Sequence, residues 1–171
     1  MLAAVCLYNV GVEPSVYVET SIVSAYVDRR EDPISRAQHL ITLDWWEHQS
    51  RHFDLYCSQA VVAELQCGGF PGQQEALALV DKMLLLPITP EVEGVAEAYQ
   101  QHLVMPRGAM GDAIHLALAC VHEVDFLLTW NCKHLANTNK IQHIRVVNMR
   151  LGLFTPVMLT PEMLVGQEDH P

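Results

Sequence analysis

The stretch Ser15-Val-Tyr-Val-Glu19 decides the fold, because a short apolar run rich in β-branched and aromatic side chains predicts a buried strand. Thr20 and Ser21 follow it directly and have hydroxyls suited to cap a helix. Apolar residues at helical spacing then predict that this helix runs through Tyr26. A strand that leads directly into a helix is the repeating unit of parallel α/β sheets.

The same unit recurs along the rest of the chain. Further strands are predicted at residues 53–57, 83–88, 125–129 and 155–160. Further helices are predicted at residues 33–51, 58–67, 73–82, 90–104, 110–124 and 139–149. The Ser58 hydroxyl is suited to cap the second of these helices. Thr89-Pro90-Glu91 is a good helix start, with a hydroxyl cap, a proline in the first turn and an acid near the positive helix end. Strands that alternate with helices predict a central parallel sheet with helices on both of its faces.

Length and composition predict a single domain at residues 15–171, preceded by an N-terminal extension at residues 1–14. The apolar start of the chain lacks the basic region and cleavage site of a signal peptide, and no apolar run is long enough to span a bilayer. The five cysteines form no CxxC pair, which is typical of reduced thiols in a cytosolic protein. We therefore expect a cytoplasmic protein that does not interact with membranes.

The formal net charge of −10 and the sequence pI of about 5.2 do not suggest a general nucleic-acid coat protein, which would be basic. They are compatible with an enzyme that holds nucleic acid locally and gathers carboxylates around a metal. The charge is uneven, since Lys133, Lys140, Arg145 and Arg150 make the last quarter of the chain locally basic. Ordinary solvated surface charge explains this segment equally well.

Three acidic residues lie where predicted strands end or predicted helices begin. Glu19 ends the first strand, and the carboxyl ends of parallel strands form the face that binds ligands. Glu64 lies among apolar neighbours in the helix that follows the second strand. Asp112 lies near the start of a helix that is apolar almost all round. Asn131 follows the strand at residues 125–129, at the same edge of the sheet.

Each of these residues also has an ordinary structural explanation. Glu19 and Glu64 suit solvated positions, Asp112 suits the positive end of a helix, and Asn131 suits a turn. If the three carboxylates instead converge, they repel one another, and Mg²⁺ or Mn²⁺ relieves that repulsion because both ions prefer oxygen ligands. Such a cation polarises a phosphodiester and lowers the pKa of bound water, so convergence predicts phosphodiester hydrolysis.

Two further groups lie next to these acids in the sequence. His115 lies one turn after Asp112 on the same helix face, where it approaches the substrate, tunes the carboxylate, or is a packed, hydrogen-bonded histidine. Lys133 and His134 follow Asn131 and either contact phosphates or are ordinary surface residues.

Four segments of this chain resemble, in order and spacing, the four motifs of PIN domains. They are Val16-Tyr-Val-Glu19-Thr20-Ser21, Ser58-Gln-Ala-Val-Val-Ala-Glu64-Leu, Gly111-Asp112-Ala-Ile-His115-Leu-Ala and Leu127-Leu-Thr129-Trp130-Asn131-Cys132-Lys133-His134. No single motif is specific, but four in this order are. The chain is most similar to the VapC-like PIN proteins of bacterial toxin–antitoxin systems.

This resemblance implies an α/β fold, a three-layer α-β-α sandwich with a central, mostly parallel sheet. It also implies an endoribonuclease that hydrolyses RNA phosphodiester bonds with Mg²⁺ or Mn²⁺ and serves as the toxin of a type II toxin–antitoxin pair. The implied partners are RNA, an antitoxin protein and a second copy of the chain in a homodimer.

The resemblance and the arguments from individual residues together predict one site. Its metal ligands are Glu19, Glu64 and Asp112, which together with Asn131 form the predicted catalytic set. The residues predicted to orient the substrate are Thr20, Ser21, His115 and Lys133.

Two departures from the family pattern bear on activity. The first acid is Glu19 rather than the usual Asp, so its carboxylate extends one methylene further. Asn131 occupies a position where many members have Asp, so the site has one negative charge less and a second metal should bind less firmly. The alternative is therefore a non-catalytic PIN-fold module that binds RNA or a protein. An unrelated small-molecule α/β enzyme has little support, because no cofactor motif occurs.

Overall fold

The computed structural model describes residues 13–164, so residues 1–12 of the predicted extension and residues 165–171 of the predicted domain lie outside the described residues. The strands are β1 (Ser15–Val18), β2 (Asp54–Ser58), β3 (Leu84–Leu86), β4 (Phe126–Leu128) and β5 (Val157–Leu159). They form one sheet in the order β3-β2-β1-β4-β5, and every pairing is parallel. The predicted central sheet is confirmed and is parallel throughout.

Seven α-helices lie in the described part of the chain. They are α1 (Thr20–Val27), α2 (Pro33–His48), α3 (Gln59–Gln66), α4 (Gln73–Val80), α5 (Pro90–Gln101), α6 (Met110–Val121) and α7 (Thr138–Leu151), with short 3₁₀ turns at Ser50–His52 and Pro161–Met163. The helices flank the sheet, which confirms the predicted three-layer sandwich. Between residues 13 and 164, no helix has the length and apolarity needed to cross a bilayer.

The chemistry at helix starts follows the sequence-based expectation in one place and departs from it in two. Thr89 precedes α5, and its hydroxyl accepts a 3.3 Å hydrogen bond from the backbone N–H of Val92, as the Thr-Pro-Glu pattern predicts. The caps expected from Thr20, Ser21 and Ser58 are wrong, because neither α1 nor α3 begins with a side-chain cap hydrogen bond. These three hydroxyls bind side chains of the site instead.

The sheet extends from β1 in two directions, with β2 and β3 on one side and β4 and β5 on the other. The direction in which the chain adds strands therefore reverses between β1 and β4. Tyr17 at the centre of β1 lies in register with Tyr56 of β2 on one side and with Leu127 of β4 on the other. Just beyond this pair, the backbone N–H of Glu19 donates to the carbonyl of Leu128 at 3.1 Å. Open α/β sheets bind ligands at such a reversal, so the fold places Glu19 at the edge where a site is expected.

A buried polar cluster joins α5 and α7 to the segment that leads into β5. The Asn148 side chain is fully buried, and its Oδ1 accepts a 2.6 Å hydrogen bond from the Tyr99 hydroxyl. Its Nδ2 donates to the carbonyl of Phe154 at 3.1 Å and to the Thr155 hydroxyl at 3.0 Å. An unpaired buried polar group is costly, so removing any one side chain of this cluster lowers the stability of the fold.

Candidate metal centre

Glu19 lies immediately after β1 with only 5% of its surface exposed. Its Oε2 accepts a 2.7 Å hydrogen bond from the Thr129 hydroxyl and a second hydrogen bond from the Ser21 hydroxyl. The Ser21 oxygen also accepts from the backbone N–H of Trp130 at 2.8 Å. Since burying an unpaired carboxylate is costly, these donors hold the Glu19 carboxylate where α1 begins and β4 ends.

Glu64 reaches the same place from α3. The Thr20 hydroxyl donates to its Oε2, and Nε2 of His115 lies 3.2 Å from each of its two carboxylate oxygens. Burial alone raises the pKa of Glu64, but the hydrogen bond and charge of His115 and the Thr20 hydroxyl outweigh it, so the pKa lies below its usual value. The side chain is 40% exposed, so an ionised carboxylate faces solvent on one side.

His115 on α6 is 1% exposed and lies between the two glutamates and the sheet. Its Nδ1 is 2.8 Å from the Tyr17 hydroxyl, which is in turn 2.7 Å from the Ser58 hydroxyl. Burial lowers the pKa of His115, but the hydrogen bond to Glu64 and nearby carboxylate charges raise it by more, so the pKa lies above its usual value. The structure therefore realises the packed, hydrogen-bonded alternative for this histidine, within reach of the acids.

Asp112 is half-buried in the first turn of α6. Its Oδ1 accepts a 2.9 Å hydrogen bond from Nδ2 of Asn131. The Asn131 Oδ1 accepts from the backbone N–H of His134 at 3.0 Å, and the backbone N–H of Asn131 donates to the Thr129 hydroxyl at 2.9 Å. These contacts fix the orientation of the Asn131 amide, so its nitrogen faces the acid and its oxygen does not.

The donor atoms of Glu19, Glu64 and His115 form a tight group, all within 4.8 Å of one another. The Glu19 and Glu64 carboxylates therefore lie close enough together that both would hold one divalent cation. Two carboxylates suit Mg²⁺ and Mn²⁺ alike, whereas an imidazole nitrogen is a softer ligand. The donor set therefore fits a divalent cation.

The predicted site residues gather at one edge of the sheet, but not all of them join this group. The hydroxyls of Thr20 and Ser21 contact the two glutamates, which is the orienting position expected of them. The Asp112 carboxylate lies outside the tight group and is bonded to Asn131. Lys133 is exposed two residues after Asn131.

Three residues of the site were missed by sequence reasoning, namely Tyr17, Ser58 and Thr129. All three are fully buried. Tyr17 binds His115, Thr129 binds Glu19, and Ser58 binds Tyr17. The available signal was a polar side chain within or at the end of an otherwise apolar strand. Such a residue needs a buried partner, which marks it as part of a hydrogen-bond network.

Gly111 leaves room for the Glu64 carboxylate. A Cβ atom built on Gly111 would lie 2.8 Å from Oε1 of Glu64, closer than carbon and oxygen normally approach. The glycine that precedes Asp112 therefore has a steric role in this site.

Two comparisons with known proteins concern the family and the fold of this chain. The PIN domain family model matches residues 16–135. The crystal structure of FitAcB from Neisseria gonorrhoeae is similar with a TM-score of 0.51, covering 87% of this chain and 99% of that chain at 13% sequence identity. At this identity the likeness concerns the fold alone. No curated protein sequence matches the chain.

Proposed function

Because this chain belongs to the PIN domain family, we propose that it is a metal-dependent endoribonuclease that hydrolyses RNA phosphodiester bonds. The observation that carries the proposal is the convergence of Glu19 and Glu64 at the reversal point of the sheet, with donor atoms of these residues and His115 within 4.8 Å. Two carboxylates held this close without a cation repel each other, which is the arrangement that a divalent ion stabilises.

In this proposal Glu19, Glu64 and Asp112 hold Mg²⁺ or Mn²⁺, directly or through water. Once bound, the cation polarises the scissile phosphate and activates water. Ser21 and the Thr129 hydroxyl fix the Glu19 carboxylate so that it needs little rearrangement.

The remaining residues of the predicted site position the RNA substrate and the carboxylates of Asp112 and Glu64. Asn131 orients the Asp112 carboxylate through its 2.9 Å hydrogen bond. Thr20 restrains Glu64 through a hydrogen bond to its Oε2. Lys133 is exposed two residues after Asn131, where its ammonium is available to an RNA phosphate.

We further propose that the protein is the toxin of a type II toxin–antitoxin pair, with an antitoxin protein as partner and a homodimer as the assembled form. These three proposals rest on the VapC-like character of the four motifs.

A non-catalytic PIN-fold module that binds RNA or a protein is the second candidate. The observation that favours it is the hydrogen bond between Asn131 and Asp112, because it occupies one acid and supplies no charge to a metal. This candidate predicts RNA retention without turnover.

The test is cleavage of a mixed RNA substrate by the full chain with Mn²⁺ or Mg²⁺, against EDTA, beside Asp112→Asn. A matched control is Asp81→Asn, an exposed acid at the end of α4. We expect metal-dependent cleavage that Asp112→Asn abolishes and Asp81→Asn retains. Binding of RNA without cleavage under any metal would support the second candidate and refute the first.

A further inference from the structure

We propose that His115 is a positioning residue that donates a hydrogen bond to Glu64 while the metal is bound, and that Tyr17 and Ser58 hold it in that role. The proposal concerns the same site as the proposed function and rests on metal binding there. It assigns a ligand shell made of oxygen atoms, with His115 outside it.

Nε2 of His115 faces carboxylate oxygens of both glutamates. Nε2 lies 3.2 Å from both oxygens of Glu64 and 3.9 Å from Oε1 of Glu19. All of these oxygens are acceptors, so a bare nitrogen lone pair facing them would be repelled. Nε2 therefore carries a hydrogen and donates it to Glu64.

The other ring nitrogen of His115 contacts two buried hydroxyls in series. Nδ1 of His115 is 2.8 Å from the Tyr17 hydroxyl, and that hydroxyl is 2.7 Å from the Ser58 hydroxyl. One consistent chain of donors runs from Ser58 to Tyr17, from Tyr17 to Nδ1, and from Nε2 to Glu64. Because Ser58, Tyr17 and His115 are at most 1% exposed, the chain is shielded from competing water.

Metal ligation and hydrogen-bond donation compete for the same nitrogen, Nε2 of His115. If Nε2 bound the ion, it would lose its hydrogen, and Glu64 would lose this donor. His115 has no second nitrogen to offer, since Nδ1 contacts Tyr17 inside the core. Its ring also lies against the Tyr17 ring with a centroid separation of 5.9 Å, which restrains rotation.

A first experiment asks which atoms bind the ion. The full chain is loaded with Mn²⁺ and examined by pulsed electron paramagnetic resonance for coupling between manganese and imidazole nitrogen. We expect no directly coordinated nitrogen that depends on His115. A nitrogen coupling present in the wild-type chain and lost in His115→Gln would overturn the proposal.

A second experiment measures Mn²⁺ affinity by calorimetric titration in three variants. The amide of a glutamine can still donate an N–H to Glu64, so His115→Gln should stay within about threefold of wild-type affinity, whereas His115→Leu should lose about 10- to 100-fold. Tyr17→Phe should lose affinity to an intermediate extent, because it removes the hydrogen-bond partner of Nδ1 and leaves the ring in place. Equal losses in His115→Gln and His115→Leu would refute the donor role.

Tyr99→Phe is the matched control for a buried tyrosine. Its hydroxyl binds Asn148 in a separate cluster, so the substitution should lower the melting temperature without changing Mn²⁺ affinity. If Tyr99→Phe weakens Mn²⁺ binding as much as Tyr17→Phe does, the Tyr17 effect is a general loss of stability and the proposal fails.

The two proposals fail in different ways. If the affinity series holds and no RNA is cut, the ribonuclease proposal fails and the positioning role stands. If RNA is cut and manganese binds the His115 nitrogen, the positioning role fails and the ribonuclease stands. A wild-type chain that binds no Mn²⁺ overturns both.

Discussion

The side-chain nitrogen of Asn131 donates a 2.9 Å hydrogen bond to Oδ1 of Asp112. An aspartate at this position cannot make that bond, because both side chains would then be acceptors. The asparagine therefore stabilises the site when no metal is present and leaves it with one negative charge less. With asparagine at position 131, the folded protein therefore needs a cation at this site less than it would with aspartate there.

The first prediction follows from replacing this donor by an acid. Asn131→Asp should lower the free energy of unfolding of the metal-free protein by about 1–3 kcal/mol, because it removes a hydrogen bond and adds carboxylate repulsion. The same change should increase the rise in melting temperature that Mn²⁺ causes, since stabilisation by a ligand grows with its affinity. Thermal melts with EDTA and with Mn²⁺ measure both effects, and an unchanged response to Mn²⁺ would contradict the prediction.

The second prediction concerns the space beside Glu64. Gly111→Ala should weaken Mn²⁺ binding by about tenfold, because its Cβ would displace Oε1 of Glu64 from a position 2.8 Å away. Stability should be retained, since alanine favours the helical conformation of α6 more than glycine does. Calorimetric titration and thermal melting together check this. Gly94→Ala is the control, because its Cβ on α5 meets nothing within 4 Å.

The third prediction concerns the cluster around Asn148. Asn148→Ala should cost about 2–4 kcal/mol of unfolding free energy, because it opens a cavity and leaves the Tyr99 hydroxyl and the Phe154 carbonyl without this partner. Tyr99→Phe should cost less. Combined, the two changes should cost less than the sum of the single effects, since each removes a partner of the other. Urea unfolding measures all three variants, and additive costs would show that the two side chains do not interact.

The fourth prediction concerns the basic residues beside Asn131. Lys140 lies with its Nζ 3.3 Å from Nδ1 of His134, and burial together with the charges of Lys140 and Lys133 lowers the pKa of His134. Lys140 therefore lies beside His134, whose backbone N–H binds Asn131. We expect Lys133→Gln and Lys140→Gln each to weaken binding of single-stranded RNA.

The measurement is fluorescence anisotropy of a labelled RNA in EDTA at several salt concentrations. Each substitution should reduce the slope of log affinity against log salt by about 0.7, the value for one phosphate contact on a single strand. Lys82→Gln is the control, since Lys82 is exposed and precedes β3 at the opposite edge of the sheet. An equal effect of Lys82→Gln would indicate general electrostatics rather than a phosphate contact.

The sequence by itself determined the order of strands and helices and the positions of the predicted acids along them. Short apolar runs predicted all five strands, and the Thr-Pro-Glu pattern at Thr89 predicted the correct start of α5. These features depend on residues that are close in the chain, where side-chain period and local hydrogen bonding are sufficient. The placement of Glu19 after β1 and of Asp112 at the start of α6 follows from the same local reasoning.

Only the tertiary structure decided which polar groups meet. The Thr20 and Ser58 hydroxyls were expected to cap helices, yet they bind Glu64 and Tyr17, which lie 44 and 41 residues away. Tertiary packing also brought His115 to Glu64 and left Asp112 beside the tight group. The physical reason is that a buried donor takes whichever acceptor the packed sheet and helices place within reach, and local sequence period carries no information about that distance.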